Sequence, residues 1–473
     1  MLRPGMHLHL VGIGGIGLSA IARVLHDLGY QVSGCDRQTS PLTEALTGEG
    51  VPVSIGHDPT HLIGVDMLVV SAAVPGDIPE VIEARRQGVP VVKREQLLGD
   101  LASHYVTLAI AGTHGKTTTS AMVAWILTET GQDPTFIVGG ILQNLGTNAR
   151  VGRGRFLVVE ADEYDRTFLG LRPEIAVVTT LEYDHPDCYA TFEAMRHAFR
   201  AFTDRLAPTG RLIVCGQDEE ARQLGERLRA KGSRVETYGF GPAWDWWAQS
   251  NPGNGGASPG SSTAFEVWHR NRSLGTCVLP LPGRHNVLNA LAALAVSHHV
   301  GVDFEPAATA LGRFRGTQRR LEIKGEAAAI TVVDDYAHHP TEIRATLEAM
   351  RMKYPNRKLW AVFQPHTYSR TAALINDFAA AFDQANHVLV TDIYAAREQN
   401  TLGISGADLV ARMSHPDARY IPFDEAATIL LEETKSGDVI ITLGAGDGYR
   451  IGEQVLAALR QKGSQKPRDQ ETL

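Results

Sequence analysis

The run Gly112, Thr113, His114, Gly115, Lys116, Thr117, Thr118 and Thr119 concentrates more chemistry than any other stretch of this chain. It follows the apolar residues Val106 to Ala111 and precedes a helix-like segment, Ser120 to Glu129. That is a strand, a glycine turn and a helix N-terminus bearing a lysine. Backbone N–H groups at such a turn converge on an anion, the helix dipole adds partial positive charge, and Lys116 supplies a full one. Thr117 stands where a hydroxyl would ligate the magnesium of a bound nucleotide. A strict phosphate loop has glycine at position 110, and this chain has Ile110, so the loop is a variant. The bland reading, a glycine turn with a solvated lysine, leaves three successive threonines unexplained.

Other segments place reactive groups at strand ends. Gly12, Gly14, Gly15 and Gly17 follow the first apolar run, and Asp36 ends the second, as a dinucleotide fingerprint would place it. The glycines themselves report only a close backbone approach to a diphosphate, which a nucleotide-sugar also presents. The strand-like Phe156 to Val159 terminates in Glu160, Asp162, Glu163 and Asp165. A carboxylate emerging beside a phosphate loop can hold magnesium, with Glu160 the best placed; Asp162 and Asp165 read as orienting groups or a solvated acidic turn. His185, beside Asp184 and just past the strand Ile175 to Thr179, is a second candidate metal ligand. Asn286 and Asn289 lie three apart on one helix face, and their amides suit the edge of an adenine ring. Asp334 and Asp335 close a further strand, where a carboxylate can accept ribose hydroxyls. Arg370 follows the next strand and can grip a carboxylate in bidentate fashion or make a surface salt bridge.

The elements needed to position these groups are those of an α/β protein. Short apolar runs alternate with helical periods at Leu8 to Gly12, Ile16 to Leu28, Gln31 to Cys35 and Met67 to Ser71, which predicts a parallel sheet with helices packed on it. This unit ends near Leu101 to Tyr105. A second unit starts at 106 and adds strands at Phe156 to Val159, Ile175 to Thr179 and Leu212 to Cys215. Its Gly- and Ser-rich stretch, Ser250 to Ser262, reads as a surface hairpin or loop. A third unit opens near Thr317, with strands at Ile330 to Val333, Lys358 to Phe363, His387 to Thr391 and Asp438 to Leu443 and helices at Thr341 to Met352 and Ala372 to Ala385. It repeats the plan of the first, and the polar tail from Gln461 is expected to fray. The predicted boundaries are 1–104, 105–316 and 317–473.

With 45 basic and 53 acidic side chains in 473 residues, the balance gives no electrostatic reason to expect nucleic acid or anionic lipid as partner. Cys35, Cys188, Cys215 and Cys277 show no C-x-x-C pairing, so a disulfide framework or zinc ribbon is not indicated and a reducing cytoplasm is expected. Neither a secretory segment nor a membrane span is expected.

In this order and through nearly the whole chain, these motifs resemble the Mur ligase family, and its alanine-adding branch most. The resemblance rests on Gly12 to Gly17, Gly112 to Thr119, Glu160 to Glu163, Asp184 with His185, Gly283 to Asn289, Arg319 with Arg320, Asp334 to Pro340, and Gln364 to His366. It implies three domains: a Rossmann-like one for a UDP-sugar, a central phosphate-loop ATPase, and a Rossmann-like C-terminal one that closes over ATP and presents the amino acid. It implies that the γ-phosphate of ATP passes to the lactyl carboxylate of UDP-N-acetylmuramate, and that uncharged L-alanine then displaces phosphate from the acyl phosphate. Two anions must meet, so cations are required between them. By the family's pattern these are Lys116 and Mg2+ held by Thr117, Glu160 and His185. Asn286 and Asn289 would hold adenine, Asp335 ribose, and Arg320 a phosphate across the domain gap. Tyr336, His338 and Arg370 would form the alanine site. Ser71 and the glycine loop would hold the UDP portion, with His57 and Arg94 beside them. A monomer or homodimer is implied.

Three positions depart from that pattern. Thr180 replaces an asparagine, Thr367 stands where part of the family has arginine, and Asp447 replaces the usual asparagine of a Gly-Ala-Gly-Asn run. No lysine occurs between Lys116 and Lys231, whereas other branches carry a carbamylated lysine after the Asp-His pair; its absence suits the alanine-adding branch. Three rivals stay open. A nicotinamide dehydrogenase explains only residues 8 to 36. A nucleotide switch lacks an Asn-Lys-x-Asp element. A recycling ligase would add a preformed tripeptide to the same UDP-sugar.

Overall fold

The computed structural model describes residues 2–71, 74–250 and 262–464. The predicted loop at 250–262 lies, but for its first and last residues, outside them; the strands that flank it, Trp246–Ser250 and Thr263–His269, pair antiparallel.

Three sheets follow one another along the chain. The first has five parallel strands in the order Val53–Ile55, Gln31–Asp36, His7–Val11, Met67–Val70, Val91–Lys93. Its order reverses at His7–Val11, and the crevice beyond the carboxyl ends of strands at such a switch point is where ligands bind. The glycine loop and Ser71 sit there, with a Cβ added at Gly12 only 3.2 Å from that of Ser71.

The second sheet has ten strands, in the order Arg272–Leu279, Thr263–His269, Trp246–Ser250, Arg234–Phe240, Arg211–Cys215, Ile175–Val178, Val106–Ala111, Phe156–Glu160, Thr135–Leu142, Thr147–Arg150. Its centre is parallel and its edges antiparallel. The helix that follows the phosphate loop, Lys116–Glu129, is buried from Thr117 through Leu127 on every face. A helix with no polar face must be covered on all sides. Here the sheet covers one side and the equally buried helix Arg284–His299 the other. That packing carries Asn289 to the mouth of the loop.

The third sheet runs Glu322–Ala327, Ile330–Asp335, Val439–Leu443, Leu359–Phe363, His387–Val390, Ala418–Tyr420. It does not repeat the first sheet's plan, as the sequence reading has it. Its first strand pairs antiparallel, and its last in sequence inserts between the second and third. The predicted helix at 372–385 is two short ones, Tyr368–Ala373 and Ile375–Ala379, broken where Leu374 leaves helical geometry (φ −114°, ψ 18°). Residues 461–464, expected to fray, continue the helix Tyr449–Ser464. All four cysteines are free thiols. Among the described residues no helix is long and apolar enough to cross a membrane.

Candidate active site

Ile110 is a fully buried strand residue, and the chain leaves the sheet only after Ala111, which is why the loop tolerates it where a strict loop has glycine. Gly115 does need to be glycine: its φ is +79° and a Cβ there would lie 2.5 Å from Asn289 Oδ1. Thr180, the departure from the family's asparagine, holds the loop. Its carbonyl accepts the Thr113 N–H at 2.8 Å and its hydroxyl accepts that of His114 at 3.0 Å.

An ammonium has three donors, and all three of Lys116 are engaged. They go to the carbonyls of Gly112 (2.5 Å) and Thr113 (3.1 Å) and to Glu163 Oε1 (2.7 Å). Glu163 is fully buried, and its Oε2 has no hydrogen-bond partner. Burial pushes the Glu163 carboxyl up, with Lys116 opposing that. The sequence reading missed Glu163 as the lysine's counter-ion; only its burial reveals the role.

Thr117 Oγ1 donates to Glu160 Oε1 at 3.0 Å, and Glu160 Oε2 accepts the Gly139 N–H at 2.7 Å. A hydroxyl and a carboxylate this close are a hard oxygen pair of the kind Mg2+ takes. Burial raises the Glu160 carboxyl, the direction a cation would reverse. His185 stands apart from that pair: its Nε2 lies 3.8 Å from Glu163 Oε1 and its Nδ1 3.4 Å from Arg370. Its backbone is left-handed (φ 55°), held by an N–H bond to Asp184 Oδ1 at 2.7 Å.

A cleft of about 940 Å3, including its open mouth, brings together groups far apart in sequence. His114, Gly115, Thr117 and Thr118 line one side, Asn286 and Asn289 another, Arg320 and Asp335 a third. Asn289 Oδ1 accepts the Thr119 hydroxyl at 3.2 Å, and Asn286 Nδ2 donates to the Pro282 carbonyl at 2.7 Å. Asp335 accepts the N–H of Leu321 (2.7 Å) and of Ala337 (2.8 Å), and burial pushes its carboxyl up to about 6. Arg320 packs over the Tyr336 ring at 5.2 Å and lies 3.5 Å from Glu342.

Tyr336, His338 and Arg370 are near neighbours but not one open site. His338 Nδ1 meets the Tyr336 carbonyl at 3.0 Å. Arg370 is 4% exposed, and its Nε donates to Asp184 Oδ1 at 2.7 Å, so the residue expected to grip a carboxylate already holds one. Desolvation, ahead of the Arg370 charge, brings the half-buried His366 down to about 2, and desolvation likewise brings the half-buried His338 down to about 3. Both imidazoles are therefore neutral near pH 7.

On the first sheet, Asp36 differs from its expected part. Its Oδ2 accepts the Gly14 N–H at 2.8 Å and its Oδ1 that of Arg37 at 2.7 Å, so it braces the glycine loop. Arg94 lies against Gly17, where any Cβ would collide with its guanidinium, and donates to Asp162 Oδ2 at 2.6 Å. Arg94, packed against the glycine loop, thus ties the first sheet's unit to the carboxylate turn of the second by an ion pair. His57 turns towards the buried Glu80.

The second and third sheets are joined at His114. Its Nε2 lies 3.3 Å from Glu182 and its Nδ1 3.3 Å from Glu342, while Thr341 Oγ1 donates to Glu182 at 2.7 Å. Burial disfavours the imidazolium, but the two carboxylates outweigh it and hold the pKa up to about 9 from 6.5. Nothing in the sequence ties Glu342 and Glu182 to His114. A raised pKa means that the contact contributes fully below 6.5 and fades as pH climbs to about 9. Protection of this junction from limited proteolysis should fall over that interval in the wild type and stay flat in His114→Gln. A flat wild-type profile would show that the junction does not depend on this charge.

Comparison with known proteins matches the three sheets in turn. Residues 7–106 match the description "Mur ligase family, catalytic domain", 110–297 "Mur ligase middle domain" and 319–446 "Mur ligase, glutamate ligase domain". The chain is 44% identical over 472 residues to the UDP-N-acetylmuramate–L-alanine ligase of Roseiflexus sp. (strain RS-1), covering 97% of this chain and 100% of that one. It is 44% identical to the enzyme of that name from Desulfosudis oleivorans, covering 97% and 99%. Among solved structures, the UDP-N-acetylmuramate-alanine ligase of Thermotoga maritima superposes with a TM-score of 0.81 at 28% identity, covering 97% of this chain and 100% of that one. A murein peptide ligase from Psychrobacter arcticus gives 0.73 at 28% identity, covering 96% and 99%. With three consecutive domain matches and full-length relatives at this identity, the chain belongs to the Mur ligase family.

Proposed function

We propose that the protein joins L-alanine to UDP-N-acetylmuramate at the expense of ATP, releasing ADP and phosphate, in the cytoplasm. One observation carries the chemistry: a cleft between the second and third sheets unites a lysine-bearing phosphate loop, paired asparagine amides and a cross-sheet arginine, Arg320. The substrate pair is supported by full-length relatives at 41–44% identity that bear that activity in their names.

In this reading residues 1–104 receive the UDP-sugar through Gly12, Gly14, Gly15, Gly17 and Ser71, residues 105–316 receive ATP, and residues 317–473 present alanine. Asn286 and Asn289 face adenine and Asp335 the ribose. The Lys116 ammonium exchanges one of its present acceptors for a phosphate oxygen. Arg94 and Asp162 keep the sugar loop in register with the carboxylate turn. A carboxylate is a poor electrophile until phosphorylated, and the γ-phosphate must approach it against like charge, so Lys116 and Arg320 supply electrostatic stabilisation where charge collects. Thr117, Glu160 and His185 are assigned to Mg2+, whose charge would add to theirs. Glu160→Gln should raise the Mg2+ concentration for half-maximal rate at least about tenfold. An unchanged Mg2+ titration would remove Glu160 from the ligand set.

The structural likeness to a murein peptide ligase keeps one second reading in view, addition of a tripeptide. ADP release with UDP-N-acetylmuramate, run separately with alanine, glycine, serine and L-alanyl-γ-D-glutamyl-meso-diaminopimelate, decides between them. Alanine should exceed glycine by about 10- to 200-fold in kcat/KM, the worth of one methyl in a fitted pocket. Turnover with the tripeptide alone would reverse the assignment.

A further inference from the structure

Beside the strand end that carries the glycine loop, five side chains of the first sheet and its connections cluster about the Glu80 carboxylate. Cys35 comes from the strand Gln31–Asp36, His9 from its neighbour His7–Val11, and Glu80 from the first turn of the helix Pro79–Gln87. His57 precedes the short 3-10 turn Pro59–Leu62, and His61 lies within it. The Cys35 Sγ is 3.3 Å from Glu80 Oε1 and 4.0 Å from His57 Nδ1. Glu80 Oε1 is itself 3.3 Å from His57 Nδ1 and 3.0 Å from His61 Nδ1. His9 stacks on His61 with ring centroids 5.4 Å apart.

The Cys35, His57 and Glu80 ligand atoms all lie within 4.8 Å of one another, close enough to take three corners of one coordination tetrahedron. Metal–sulfur bonds of about 2.3 Å and metal–nitrogen or metal–oxygen bonds of about 2.0 to 2.1 Å place nitrogen and oxygen ligands about 3.3 Å apart, and sulfur and nitrogen about 3.6 Å. Thiolate with imidazole and carboxylate is a donor set for zinc-like ions and is too soft for Mg2+. A hydrogen-bonded network without metal is the competing account, and it leaves two polar atoms over. Glu80 is fully buried, yet its Oε2 has no hydrogen-bond partner and only a poorly angled neighbour in His57 Nδ1 at 3.2 Å. His9, 2% exposed, leaves Nε2 without a partner. A buried carboxylate in such surroundings is costly unless a positive charge accompanies it.

We propose that Cys35, His57 and Glu80 bind one divalent zinc-like ion whose fourth position is left to solvent, with His61 hydrogen-bonded to the Glu80 carboxylate and His9 stacked behind it. Cys35 loses its proton to solvent as the ion enters, and the partly exposed rings of His57 and His61 mark the way in. The site has a structural consequence for the sugar side. The Cys35 carbonyl accepts the N–H groups of Gly12 (2.8 Å) and Ile13 (3.2 Å), and the next residue, Asp36, braces Gly14. An ion at Cys35 therefore pins the strand end from which the whole glycine loop hangs.

The test uses full-length protein stripped with a chelator, with Co2+ and Zn2+ as probes and no nucleotide or Mg2+. One Co2+ per chain should bind, with a thiolate-to-metal charge-transfer band in the near ultraviolet and the strong visible bands of four-coordination. Cys35→Ser should lose the charge-transfer band, and His57→Gln should keep it while weakening Co2+ binding at least about tenfold. Zn2+ should slow alkylation of Cys35, followed by mass spectrometry in the wild type, so the result stands even if Cys35→Ser does not fold. Absence of the band in the wild type, its persistence in Cys35→Ser, or alkylation of Cys35 at an unchanged rate would each overturn the site.

Discussion

Lys116→Ala is expected to lower the rate of ADP release by at least about 10³-fold, the scale of losing a cation at a transferring phosphoryl group, while the Kd for the UDP-sugar stays within about twofold. The asymmetry follows from where the ammonium sits. Its three donors are spent on the Gly112 and Thr113 carbonyls and on Glu163, all within the second sheet's loops, and none reaches the first sheet. The substitution has a second effect that must be separated from the first. Glu163 is fully buried with one oxygen already unpartnered, and without Lys116 it becomes an isolated buried charge. Breaking such a pair costs about 3 to 5 kcal/mol. The double variant Lys116→Ala with Glu163→Gln removes both charges together, so it should recover most of the lost thermal stability and none of the turnover. Turnover retained in either variant would remove Lys116 from the reaction.

That counter-ion shows where sequence reasoning stops. The loop was legible because its anion-binding groups are contiguous, and the asparagine pair because a spacing of three fixes a shared helix face. In the sequence Glu163 reads only as part of an acidic strand end, since nothing local says which carboxylate turns inward beneath the lysine. Asp36 illustrates the opposite error. Its distance from the glycines fits a dinucleotide fingerprint, but the fold spends both its oxygens on backbone N–H groups of Gly14 and Arg37. The strands Val53–Ile55 and Val91–Lys93 are three residues each, too short for any periodicity to declare them. The third sheet's order escaped because an alternation of strands and helices predicts a parallel sheet without saying between which strands the last, Val439–Leu443, inserts. Contacts such as His114 with Glu342 depend on how two sheets face each other, which no local pattern encodes.

Arg370 brings both limits together and leads to the second large effect. Read from sequence, Arg370→Ala should raise the KM for alanine far more than that for ATP, because only alanine loses its carboxylate partner. The structure adds Asp184, buried and held well below the usual carboxylate range by the Arg370 charge against the opposing cost of burial. Removing the arginine strands that carboxylate between the second and third sheets, at about 3 kcal/mol or some two orders of magnitude in the population of the closed arrangement. Loss of closure alone would raise both KM values together. Asp184→Asn distinguishes the two contributions, since it weakens the junction and leaves the guanidinium free for a substrate carboxylate. If Arg370 receives alanine, Arg370→Ala should raise the alanine KM at least about tenfold more than it raises the ATP KM, whereas Asp184→Asn should shift the two by similar, smaller factors. Matching profiles for the two variants would make Arg370 a latch between sheets and leave the alanine carboxylate to another residue.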